Sequence, residues 1–241
     1  MRVNLVLFNS DEASRPLPLS DPRAQHVLAV LKRQPGDSFD AGLINGPRGR
    51  GTLLGIGPDA LNLSFAWGDL PPRPEPVTLI IGLPRPQTAR DILRDATTLG
   101  VTAMHFVVTE KGERNYARSS LWTTDEWRRQ LLTGAAQAFD TQIPEVMPGR
   151  TLADTLAALP TDIRRIALDN YEAATPLGKI RIAPDMQVAL ALGPERGWSA
   201  GDRAVLRSHH FELVHLGSRV LRCETAVVAA LTLVKAARDR L

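Results

Sequence analysis

The residues with chemical promise cluster near the end of the chain. Arg219 and Arg222 stand three apart in Leu216-Gly217-Ser218-Arg219-Val220-Leu221-Arg222-Cys223-Glu224-Thr225-Ala226, and Glu224 and Thr225 fall where a helix is predicted to begin. Beside a ligand, such arginines stabilise developing negative charge, and a carboxylate accepts a proton. The same string also suits a plainer role, since Glu and Thr favour a helix N-terminus and exposed arginines are commonly solvated. About 24 residues upstream, Gly193-Pro194-Glu195-Arg196-Gly197-Trp198 leaves an apolar strand and precedes a helix at Ser199. Gly193 and Gly197 let a ligand press against backbone, and Pro194 stiffens the turn. One glycine turn is weak support for a site. Two of them, each after a strand, point to a ligand at the carboxyl edge of an α/β sheet. The dinucleotide fingerprint G-x-G-x-x-G is absent, which leaves that ligand class with little support.

The elements that position these residues alternate. VTLIIGL (77–83) is a continuous apolar run, as expected of a strand buried on both faces of a parallel sheet. Helices are predicted at 88–100, about 124–138, 151–159, 199–208 and from about 222. Strands are predicted at 103–108, 143–146, 163–169, 186–192 and 211–216. This is the pattern of a mostly parallel α/β domain. Upstream, GDLPPRPEP (68–76) carries four prolines in nine residues and reads as a stiff linker. Before it come a strand at 3–8, a helix entered through Ser20-Asp21-Pro22 with Ser20 as cap, and short strands around 37–44, 50–56 and 60–66. Many short strands with one helix suggest a small β-barrel, so the expected domains are 1–72 and 73–241.

Composition sets the outer limits. The 241 residues are 44% hydrophobic, enough for one large or two modest cores. At 5% aromatic, wide base-stacking platforms are not expected. A net charge of +3 permits a nucleic-acid partner without demanding one. The single cysteine, Cys223, rules out an internal disulfide and a thiolate metal cluster. It reads as a packed side chain, because no histidine base is identifiable beside it. His209, His210 and His215 have no carboxylate at ligand spacing, and no metal is expected. The N-terminus has too short an apolar run for a signal peptide, and no run approaches the roughly 18 residues needed to cross a bilayer. A cytoplasmic protein without a membrane partner is expected.

The two glycine turns closely resemble the cofactor loops of the SPOUT superfamily of S-adenosylmethionine-dependent RNA methyltransferases. More narrowly, they resemble the family that methylates N3 of a uridine in small-subunit (16S) ribosomal RNA. That family has a strand ending Gly-Pro-Glu-Gly-Gly-Phe-Ser, then a strand ending Leu-Gly and an arginine-rich turn into Leu-Arg-x-Glu-Thr-Ala. Gly193, Pro194, Glu195, Gly197, Ser199, Leu216, Gly217, Arg219, Leu221, Arg222, Glu224, Thr225 and Ala226 match. Arg196 stands where the family has glycine, and Trp198 where it has phenylalanine. More thinly, Arg2, His26, Val30-Leu31-Lys32 and Pro35-Gly36-Asp37 resemble its PUA-like RNA-binding barrel. Arg85 and Thr98 replace a usual lysine and glutamate, and the arginine of a Glu-Gln-x-x-Arg segment is missing near Gln137-Ala138.

The resemblance implies an α/β domain with a C-terminal trefoil knot, a homodimer, and methyl transfer to uridine N3. It implies that cofactor lies on Leu192, Gly193, Pro194, Glu195, Gly197, Leu216, Gly217, Leu221, Thr225 and Ala226. Arg219 and Arg222 would stabilise charge on the ring carbonyls, with Glu224 as general base, as a brace for the knot or as a helix cap. Arg2, His26, Lys32, Arg48, Arg50 and Arg85 are candidate RNA contacts, although His26 lies on an apolar helix face and suits packing better. Two rivals remain: a superfamily member acting on another base or on transfer RNA, and a ribosome-assembly factor that binds RNA without transfer.

Overall fold

The computed structural model describes residues 5–238 and divides into two compact units. The first comprises residues up to Arg73 together with Ala135–Ile143; the second comprises Pro74–Gly134 and the chain from Pro144. Arg2 and the beginning of the strand expected at 3–8 lie outside the described residues.

In the first unit, β1 (Val6–Phe8), β2 (Leu17–Pro18), β3 (Ser38–Leu43), β4 (Arg48–Ile56) and β5 (Ala60–Trp67) form a sheet in the order β1-β3-β4-β5-β2. Among the described residues only β1 and β3 run parallel, and β1 and β2 are the outermost strands. Its core gathers Phe8, Val27, Phe39, Leu53 and Leu61. The helix after Ser20 is a single turn, α1 (Pro22–Gln25), which passes into a π-helical stretch at His26–Val30. Its cap is Asp21 rather than Ser20: the Asp21 carboxylate accepts the Arg23 N–H at 2.8 Å. Pro22 needs no such acceptor, because proline has no N–H to satisfy.

The second unit is built on a seven-stranded parallel sheet. Its members are β6 (Glu75–Gly82), β7 (Val101–Val108), β8 (Glu145–Thr151), β9 (Arg164–Leu168), β10 (Thr175–Pro176), β11 (Val188–Leu192) and β12 (Glu212–His215). The order is β10-β12-β9-β11-β6-β7-β8, so β11 lies between β9 and β6. Every residue of β11 is buried, the result expected of an apolar strand in the middle of a covered sheet. The helices are α2 (Pro86–Thr98), α3 (Ser120–Thr123), α4 (Glu126–Gln137), α5 (Leu152–Ala157), α6 (Ala200–Ser208) and α7 (Cys223–Ala237). α2 packs against α7, and α5 packs against α6. One core joins Ile80, Val107, Ala189 and Ala191 of the sheet to Leu156 and Leu206 of helices α5 and α6, with Trp198 and Phe211 completing it.

The proline-rich linker ends sooner than its composition suggests. β6 begins at Glu75, where the Glu75 N–H donates to the Gly100 carbonyl at 2.8 Å. Pro76 follows within the strand. The two-residue strand β10 carries no periodic signal, and its parallel pairing with β12 is fixed only by tertiary structure.

Candidate active site

Three neighbouring strands, β12, β9 and β11, end at the same carboxyl edge, and the loops that leave them surround one cavity of about 320 Å³. Clefts at this edge are where open α/β sheets hold ligands, and the volume suits a nucleoside-sized molecule. The β11–α6 loop contributes Leu192 to Trp198, and the β12–α7 loop contributes Leu216 to Leu221.

Local chemistry holds the first of these loops in place. Gly197 has φ +65°, a conformation open to glycine at little cost. A Cβ on Gly193 would lie 3.0 Å from the Gly197 and Trp198 backbone, which explains the tight reversal. Trp198 is buried, and its Nε1–H donates to the Leu168 carbonyl at 2.9 Å, tying this loop to the end of β9. Ser199 begins α6 with a reciprocal cap: its hydroxyl accepts the Asp202 N–H and its own N–H donates to the Asp202 carboxylate, both at 2.9 Å. Such a box is worth about 1 kcal/mol. The Glu195 carboxylate accepts the N–H of Arg85, the residue that precedes α2, at 2.9 Å. Lys111 donates from Nζ to the Trp198 carbonyl at 3.0 Å.

The β12–α7 loop turns at Gly217, φ +110°, whose N–H donates to His215 Nδ1 at 3.0 Å. His215 therefore serves the turn, and among the described residues no group of three His, Cys, Asp or Glu side chains is placed to hold a metal ion. Cys223 opens α7 with its Sγ 3.8 Å from the Gly193 carbonyl. Burial first, and then the nearby Glu195 and Glu224 carboxylates, push its thiol up to about 12, so it stays protonated and unreactive at neutral pH.

Of the expected cofactor residues, Leu192, Gly193, Pro194, Glu195, Gly197, Leu216, Gly217, Leu221 and Ala226 line this cavity. Thr225 does not; it is exposed on the first turn of α7. Arg219 is exposed and lines the cavity, whereas Arg222 is exposed at the N-cap of α7 and Glu224 is half-buried one residue into the helix. Neither Arg222 nor Glu224 borders the cavity.

The expected RNA contacts are scattered. His26 is half-buried, and Lys32 is exposed with φ +54°. Arg48 is engaged with Phe139, donating to its carbonyl at 3.2 Å and stacking 5.6 Å from its ring centre. Arg50 pairs with Asp40 at 2.9 Å. Arg85 is exposed and borders a second cavity of about 390 Å³ with Lys111, Tyr116 and Arg196. Arg196, the residue standing in place of glycine, lines both cavities.

Sequence reasoning missed the third wall. Leu168, the last residue of β9, and Asp169, Asn170 and Tyr171 after it line the first cavity beside the two glycine loops. The available signal was the position of this segment after a parallel strand, but it carries no glycine.

An α/β unit with a ligand cavity at the edge of a parallel sheet defines the class, and the comparisons narrow it. Residues 71–235 match the family model for the RNA methyltransferase domain. The chain is 33% identical to ribosomal RNA small subunit methyltransferase E of Treponema pallidum (strain Nichols), over 97% of this chain and 91% of that protein. It is 25% identical to ribosomal RNA small subunit methyltransferase E 1 of Borreliella burgdorferi, over 95% of each. The crystal structure of a ribosomal RNA small subunit methyltransferase E from Neisseria gonorrhoeae, bound to S-adenosyl methionine, shares the fold with a TM-score of 0.82 at 22% identity, over 98% of each chain. The chain belongs to the family of SPOUT RNA methyltransferases that includes the ribosomal RNA small subunit methyltransferase E proteins.

Proposed function

We propose that this protein uses S-adenosylmethionine to methylate N3 of a uridine in small-subunit ribosomal RNA. The carrying observation is that nine of the ten residues expected on cofactor line one cavity built from adjacent strand ends. The relatives named above are small-subunit ribosomal RNA methyltransferases, and the Neisseria protein holds the same cofactor in the same fold. The cavity fits it: its volume suits a nucleoside, and Gly193, Gly197 and Gly217 bring backbone to its wall without side chains in the way.

When bound, S-adenosylmethionine supplies a sulfonium methyl group. The uridine N3 carries a proton at neutral pH, so the protein must accept that proton and stabilise charge spreading to the ring carbonyls. Arg219, at the rim of the cavity, and Arg222, at the start of α7, supply positive charge near the site. Glu224, in the first turn of α7, is the proton acceptor. The first unit acts as a PUA-like RNA-binding module, with His26, Lys32, Arg48, Arg50 and, from the second unit, Arg85 as contacts. We further read the C-terminal segment as a trefoil knot and the working protein as a cytoplasmic homodimer.

Transfer of tritium from methyl-labelled S-adenosylmethionine to isolated small ribosomal subunits tests the reading. Label is expected in the RNA; no incorporation by folded protein at saturating cofactor contradicts it and favours an assembly factor without transfer.

A further inference from the structure

We propose that Tyr171 is an adenosine-stacking residue of the cofactor cavity, held in position by the buried pair Asp169–Arg203. The inference rests on the cofactor reading above and adds a wall that the glycine loops do not supply. Tyr171 is 78% exposed, the second most exposed large apolar side chain among the described residues. Exposure alone says little of one side chain; what distinguishes Tyr171 is its place on the cavity wall. It is also not loose. Its N–H and that of Glu172 donate to Asp169 Oδ1 at 2.8 and 2.6 Å. Asp169 Oδ2 in turn accepts from Arg203 Nε at 2.8 Å, with side-chain exposures of only 1% and 8%.

Arg203 has a second task. Its guanidinium lies 5.1 Å from the centre of the Tyr171 ring and supports that ring by a cation–π contact. Glu172 extends the brace, lying 3.6 Å from Arg203 and pairing also with Arg207. The edge of the ring rests near Gly197: a Cβ built there would lie 3.7 Å from Tyr171 Cε2. Tyr171 lines the cavity together with apolar Leu192, Leu216 and Leu221. A held aromatic ring with aliphatic neighbours on one cavity wall matches the apolar face of a purine. A buried ion pair contributes little net stability on its own. Here it fixes the ring before ligand arrives, which lowers the ordering cost of binding.

The test is calorimetric titration of the full chain with S-adenosylmethionine and, separately, with 5′-methylthioadenosine, which keeps the adenosine and lacks the amino acid. Tyr171→Ala is expected to weaken both about tenfold, the size of one aromatic stack, and Tyr171→Phe to bind like wild type. Equal binding of methylthioadenosine by wild type and Tyr171→Ala overturns the stack. Wild type that binds neither compound overturns the cofactor reading as well. For the positioning role, Arg203→Met should weaken binding in the wild-type background yet change it less than twofold when Tyr171 is already Ala. Losses that multiply independently contradict that role. Because removing one member of a buried pair endangers folding, Arg203→Lys and the double change Asp169→Asn with Arg203→Met are measured alongside, with circular dichroism confirming the fold.

Discussion

Arg222 tests the chemistry at the level of a single residue. It is exposed, caps α7 only through its backbone, and does not border the cofactor cavity. Arg222→Ala should therefore bind S-adenosylmethionine within about twofold of wild type while losing on the order of a hundredfold in turnover, as expected when a charge-stabilising group is removed. Turnover near wild type would take Arg222 off the catalytic list. Cys223, nearby in sequence, has no such part: a thiol pushed up to about 12 by burial is neither nucleophile nor base. The residues that the sequence made legible were those held by local pattern, the two glycine turns and the helix start near Ser199. Asp169, Tyr171 and Arg203 were not, because their ion pair spans 34 positions and each looks ordinary among its chain neighbours.

Gly82 carries the argument at the scale of elements. It ends β6, and a Cβ there would lie 2.3 Å from Pro194 Cδ and 2.6 Å from Pro194 N. The β11–α6 loop thus depends on a missing side chain in a neighbouring strand. Gly82→Ala should displace that loop and weaken S-adenosylmethionine binding by at least tenfold, measured by calorimetry; unaltered affinity would show that the loop can yield. The alternation of strands and helices in the second unit was readable from apolar runs and the turns between them. This dependence was not, because it arises only once β11 lies beside β6. In the first unit, Arg23 pairs with both Glu12 and Asp21 at 2.7 Å. Hydrogen bonding to Arg23 holds the Glu12 carboxyl down at about 2 and lowers Asp21 as well. Carboxyls lowered in the folded state add stability that is complete above their unfolded range, about 4 to 4.5, and is lost as pH falls through the folded value. The melting temperature should accordingly drop as pH falls from about 4.5 toward 2, and Arg23→Met should flatten that part of the curve. Parallel pH profiles for the two proteins would contradict this assignment.

For the molecule as a whole, sheet order explains why one cavity exists. Because β11 enters between β9 and β6, the ends of β12, β9 and β11 become neighbours, and three loops far apart in sequence meet. Alternating strands and helices made the α/β class legible, but spacing cannot reveal strand order. Among the described residues the short strands expected in the first unit form a five-stranded sheet. Its task in the proposed reaction is to hold RNA by phosphate contacts, whose strength falls with added salt. The most direct measurement is mass spectrometry of nucleosides from small-subunit ribosomal RNA incubated with the protein and S-adenosylmethionine. The expected result is N3-methyluridine, absent when cofactor is omitted and formed far more slowly with Arg222→Ala. Methylation of another base, or of a ribose, by protein that turns over would contradict the uridine N3 assignment.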